Sequence, residues 1–256
     1  MQTEWIRDAQ RSAKGLLHRF GVAAAAHIRI ESFAAKLGVS IVEVPLDGAS
    51  AQLARAGART TIMVSARITE PAARRFNIAH ELGHFMLGHP SQPPSVLCAP
   101  CAHRTAERDY EAEANAFAAE LLMPASLLRR ACEVSPVDLA VPRAIARDYD
   151  VSILASAIRF VELATERCAA VFSSHGKIKW VAPSPTFRYE IARGRALDRG
   201  SLAWDFFATG ALPEEPQPVA ADAWVSSSRE WDLVEHSVCS RELGTVLTML
   251  WIPAKI

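Results

Sequence analysis

The residues best able to do chemistry sit in RRFNIAHELGHFMLGHP, residues 74–90. His80 and His84 are four apart, and Glu81 directly follows the first. On an α-helix, positions i and i+4 share a face and lie about 6 Å apart along the axis. Two imidazoles placed this way can reach one zinc ion at about 2.0–2.1 Å. Glu81 stands about 100° round the helix from His80, so it can lean over the ion without binding it. There it can take a proton from an attacking water and pass it to a leaving amine. The H-E-x-x-H spacing therefore points to metal-assisted hydrolysis. The bland alternative is a helix with incidental histidines. Against it, Phe76 to Leu87 is otherwise apolar, and burying two histidines and a glutamate together is costly unless something binds them.

Such a site needs a third ligand. His89 follows Gly88 too closely after His84 to suit an x-x-G-x-x-H spacing, so it is expected to cap or pack at the helix end. A better source is DYEAEANAFAAELLMP, residues 109–124. Glu111 and Asn115 are four apart and share a helical face. Glu111 can complete a two-His, one-Glu site, and Asn115 can hold a ligand histidine through its other ring nitrogen. Glu113 and Glu120 are rivals; Glu113 is two residues from Glu111 and so points to a different face. For any one of the three, a solvated acidic face is the bland reading.

RRFNIAHELGH followed by EAEANAFAAELLMP resembles the ImmA/IrrE metallopeptidases. The resemblance runs from about residue 15 to 165 and takes in LGVSIVEVPL and the strand IMVS. It implies a zincin-like peptidase binding one zinc ion through His80, His84 and Glu111, with Glu81 as catalytic base. It also implies a regulatory endopeptidase whose protein substrate is a helix-turn-helix transcriptional repressor, in stress response or mobile-element control. The alternative is a non-catalytic regulator that keeps the metal fold and acts by binding a partner protein or DNA.

The elements that must position these residues can be read from the chain. Up to residue 37 the sequence is alanine-rich and amphipathic, two helices broken near Gly21. Strands follow at SIVEVPL, AQLARA and TTIMVSA, with Gly57 as a turn. The last of these is expected to be an edge strand, with Ile62, Met63, Val64 and Ser65 taking an extended substrate beside the metal. Thr69 can cap the H-E-x-x-H helix, with Glu70 and Pro71 in its first turn. Residues 89–103 read as a loop and Arg104 to Met123 as a helix ended by Pro124. PASLLRRAC, PVDLAVPRAIARDYD and VSILASAIRFVELATE read as three more helices. After Cys168 come AAVFSS and KIKWVA around a His175-Gly176 hairpin turn, then strands at DAWVSSS, WDLVEHSV and TVLTMLWI. Glu242, Leu243 and Gly244 supply the last turn, and LPEEPQP separates the two β regions.

The fold class expected is α+β. A mainly helical domain with a small sheet covers residues 1–168, including a helix-turn-helix-like subdomain at about 136–168. A small β-rich domain of unknown role covers 169–256.

Composition narrows the function classes. The 256-residue chain is 50% hydrophobic and 22% charged with zero formal net charge, so nothing in it asks for nucleic acid or an anionic membrane. Over residues 136–168, four arginines face five acids, a poor phosphate-binding surface, and no direct nucleic-acid binding is expected. The N-terminus lacks an apolar signal-peptide core, and a cytoplasmic location with no membrane partner is expected. The five cysteines read as reduced residues. Cys98 and Cys101 lack a second CxxC, and His103 or Tyr110 could donate to an oxyanion. Trp180, Trp204, Trp224, Trp231 and Trp251 are core aromatics or the lining of a ligand pocket.

Overall fold

Along the first helix, α1 (Gln2–Arg19), Ala9, Ala13, Leu16 and Leu17 are buried, the spacing of one apolar stripe. The computed structural model describes residues 2–90, 109–226 and 231–254. Cys98, Cys101 and His103 therefore lie outside the described residues. Gly21, at φ 65, turns the chain from α1 toward a short 3-10 turn and α2 (Ile30–Lys36). Three strands follow: β1 (Val39–Val44), β2 (Ala51–Ala56) and β3 (Arg59–Ser65). β2 and β3 form a hairpin around Gly57, and β1 joins β3 in parallel, giving the order β1-β3-β2.

This order corrects the expectation of an edge at Ile62, Met63, Val64 and Ser65. β3 is the central strand, with its backbone groups spent on β1 on one side and β2 on the other. Ile62 and Val64 are buried, so the strand before the H-E-x-x-H helix serves the core. The outer strands are β1 and β2.

Pro71 occupies the first turn of α3 (Pro71–Met86), where its missing N–H costs no helical bond. The capping position falls on Glu70, one residue later than the expected Thr69, and its side chain makes no capping bond. Next comes α4 (Tyr110–Leu122), opened by Asp109, whose carboxylate accepts from the Ala112 N–H at 3.1 Å. Both α1 and α3 pack on α4, around Ile78, Leu82, Phe117 and Leu121. The helices α5 (Ala125–Cys132), α6 (Ala140–Asp148) and α7 (Ile153–Leu163) complete the helical run.

The remaining strands are β4 (Cys168–Ser174) and β5 (Lys177–Pro183), joined through His175 and Gly176, both at positive φ. Then come α8 (Leu202–Thr209), β6 (Gln217–Ala220), β7 (Asp232–Ser240) and β8 (Thr245–Trp251). All five strands form one antiparallel sheet in the order β5-β4-β8-β7-β6. The proline-rich stretch thus does not divide two β regions: β8 pairs directly with β4, and β6 begins inside the stretch at Gln217. Nor is there a strand over the described part of DAWVSSS, residues 222–226, which begins in a 3-10 turn at Ala221–Ala223. Glu235 on β7 is fully buried and accepts from the N–H groups of Leu202 and Ala203, the Trp224 indole and Ser237 Oγ, which pins the start of α8 to the sheet. Trp224 is buried in this core, while Trp180 stacks on Phe172 and Trp251 donates to Glu166.

The architecture is α+β. The chain divides into two compact units, one of residues 1–127 and 146–152, the other of 128–145 and 153–256. The change in sequence texture falls near residue 168, but the contacts divide earlier because α7 packs on β4 and β5. Cys132, Cys168 and Cys239 are free thiols, the first two buried. No helix among the described residues is long and apolar enough to cross a membrane.

Candidate metal centre

The helical repeat of α3 puts His80 and His84 on one face, and their Nε2 atoms stand 3.0 Å apart. Glu111 arrives from the first turn of α4, where the positive end of the helix favours a carboxylate. Its Oε2 is 3.3 Å from His80 Nε2 and its Oε1 is 3.5 Å from His84 Nε2. Three donors on a tetrahedral zinc lie roughly 3.3 Å from one another. Among the described residues, His80, His84 and Glu111 are the group of donors placed to hold a metal ion. Glu113 and Glu120 stand outside it.

The proton positions favour a cation here. His80 Nδ1 lies 2.9 Å from Asn115 Oδ1, which can only accept, so Nδ1 carries the proton and Nε2 offers a lone pair. His84 Nδ1 is likewise engaged, 2.9 Å from His89 Nδ1. Two imidazole nitrogens and a carboxylate converging on one point form a donor set suited to zinc.

The close approach of the two helices depends on Gly83. A Cβ there would stand 3.1 Å from Ala114 Cα and 3.2 Å from both Ala114 O and Phe117 Cδ1. A larger residue between the two histidines would hold α4, and Glu111 with it, away from them.

Glu81 lies beside this group without joining it. Burial pushes its carboxyl up to about 7, Glu111 adds to the rise, and His80 and the Leu53 N–H pull it back. Without a cation, His80 is raised despite its burial, because Glu111 and Glu81 favour a positive charge where a cation would sit. The Leu53 N–H that favours the Glu81 carboxylate comes from β2, an outer strand among the described residues. In the antiparallel ladder, Ser50 and alternate residues bond to β3, which leaves Leu53 facing outward.

Other candidates have different places. Glu120 is buried, and its Oε1 accepts from the Ala125 N–H at the start of α5. Tyr110 lays its ring against His89, centroids 4.6 Å apart. The residues that sequence reading set aside are His89 and Glu113, both buried next to the donor group. The available signal was Gly88: a glycine just past a helix end folds the residue that follows it back onto the last turn.

A pair of helices presenting H-E-x-x-H and a carboxylate as third ligand is the frame of a metallopeptidase-type centre. Residues 34–161, half of the 256-residue chain, match the Peptidase_M78 family model, described as the IrrE N-terminal-like domain, and the chain belongs to that family. No curated protein matches it in sequence. Among solved structures, a Mycobacterium tuberculosis transcriptional regulator is similar in fold, with a TM-score of 0.57 at 15% identity, over 95% of this chain and 76% of that one.

Proposed function

We propose that this protein is a zinc-dependent endopeptidase that cuts a protein substrate at few sites. The observation that carries the proposal is the half-buried carboxyl of Glu81 beside the three converging donors of a Peptidase_M78 chain. A divalent cation, when bound there, polarises the scissile carbonyl and acidifies water. Glu81, placed beside those donors, takes the proton of the attacking water and delivers it to the leaving amine. The Leu53 N–H steadies that carboxylate from one side. An extended substrate segment adds along β2, the outer strand that reaches Glu81. The substrate class we propose, a helix-turn-helix transcriptional repressor acting in the cytoplasm, rests on the resemblance to the ImmA/IrrE metallopeptidases.

Glu81→Gln tests this reading, since the amide keeps the shape but cannot accept the proton. The variant is expected to fold and bind zinc like the wild type while cleavage falls by about 10²–10⁴-fold or more. The readouts are new protein termini found by mass spectrometry and induction of the repressed gene in cells. Full induction by Glu81→Gln would discard catalysis and leave the regulator that acts by binding a partner protein or DNA.

A further inference from the structure

The end of α3 is built as a Schellman turn. Gly88 takes a left-handed φ of 68°, the His89 N–H donates to His84 O at 3.0 Å, and the Gly88 N–H donates to Phe85 O at 3.3 Å. In this motif the residue after the glycine folds back onto the last helical turn, and the contact is usually apolar. Here the residue that folds back is a histidine, and it lands on the metal-site histidine. His89 Nδ1 lies 2.9 Å from His84 Nδ1, with the rings edge to face at 4.9 Å. His89 Nε2 lies 3.3 Å from Glu113 Oε2, and both side chains are 2% exposed.

We propose that His89 and Glu113 are positioning residues that orient His84 and raise its basicity toward the metal; this rests on the metal-site reading above. One proton arrangement suits a metal at His84 Nε2. His84 Nδ1–H donates to His89 Nδ1, and His89 Nε2–H donates to the Glu113 carboxylate. The carboxylate at the far end draws charge along both rings and fixes the tautomer of each. A buried His–Glu pair costs more than the apolar residue a Schellman turn ordinarily uses there. The sequence E-A-E-A-N thus divides three tasks on α4. Glu111 joins the donors, Asn115 holds His80 directly, and Glu113, on another face, reaches His84 through His89.

The test is zinc affinity by chelator competition on the full chain, with the visible spectrum of the cobalt(II)-loaded protein and the melting of the metal-free protein alongside. His89→Leu and Glu113→Ala are expected to weaken zinc binding about 10–100-fold and to alter the cobalt spectrum. Glu113→Gln, which keeps an acceptor but not the charge, should fall between them and the wild type. Because the two residues act in series, the double variant should bind no more weakly than His89→Leu alone. Folded variants that bind zinc like the wild type, or that lose only metal-free melting temperature, overturn the proposal. If the larger changes prevent folding, Glu113→Gln decides it: weakened binding supports the relay, and unchanged binding ends it. A wild-type chain that takes up no zinc would instead remove the metal-site reading beneath it.

Discussion

His80 and His84 face the same point but are held by different means. The first leans on one exposed amide, Asn115, and the second on a buried imidazole at the end of its own helix. Losing a donor should therefore differ in kind from losing a support. Glu111→Ala is expected to abolish stoichiometric zinc uptake, measured as metal content after gel filtration. Asn115→Ala should keep the stoichiometry while binding about 10–100-fold more weakly in a chelator competition. Loss of zinc from Asn115→Ala, with Glu111→Ala unaffected, would reverse the two assignments. The grouping of His80, His84, Glu111 and Asn115 was legible in the sequence because each pair is four residues apart within one helix, where spacing alone fixes the face. His89 was less so. Its place depends on the handedness of the turn at Gly88, which converts a residue expected at the helix end into a neighbour of His84.

At the scale of elements, the site depends on how closely α3 and α4 approach at Gly83. Alanine there would gain about 1 kcal/mol of helix propensity. It would also press a methyl group onto the backbone of Ala114, and overpacking against unyielding atoms costs about 1–3 kcal/mol. The second effect should win. Gly83→Ala is expected to melt at a lower temperature and to bind zinc more weakly, since α4 carries Glu111. A raised melting temperature with unchanged zinc affinity would show that the helix pair yields without cost. Helices with strong caps and periodicity were readable one by one, but strand order was not. TTIMVSA has the composition of a strand wherever it sits, and its central position is set by β1 pairing from the far side. α8 went unread although Ser201 and Gly210 bracket it, the one accepting from the Trp204 N–H and the other at φ 77. Its aromatic face, packed into the second core, obscured those signals.

At the scale of the whole molecule, within the second unit, His236 ties the 128–145 excursion to the sheet. The Leu139 N–H donates to His236 Nδ1 at 3.2 Å, a bond that needs the neutral ring. Burial and the nearby Arg143 hold its pKa below the ordinary 6.5, while Asp138 and Glu215 oppose them more weakly. The folded chain therefore binds this proton less readily than the unfolded chain. The resulting stability is complete above about pH 6.5 and is lost as the pH falls toward the lower folded value. The wild type is expected to lose more melting temperature between pH 7.5 and 5.5 than His236→Asn, which keeps an acceptor for Leu139 without titrating. Equal losses would show that other groups carry the pH dependence. Such a tie across almost a hundred residues has no local signature in the sequence.

The division of the chain also bears on inheritance. The path crosses between the two units after residues 127, 145 and 152, so no single break separates them. A gene fusion or deletion near residue 168, where the composition changes, would keep α7 and remove the strands β4 and β5 that cover it. Phe160 and Val161, now buried, would be left without cover, and the fragment would tend to aggregate. An exchange that kept the second unit whole would take residues 128–145 and α7 along with the C-terminal sheet. Such an exchange needs breaks on both sides of residues 146–152, which a single crossover does not supply.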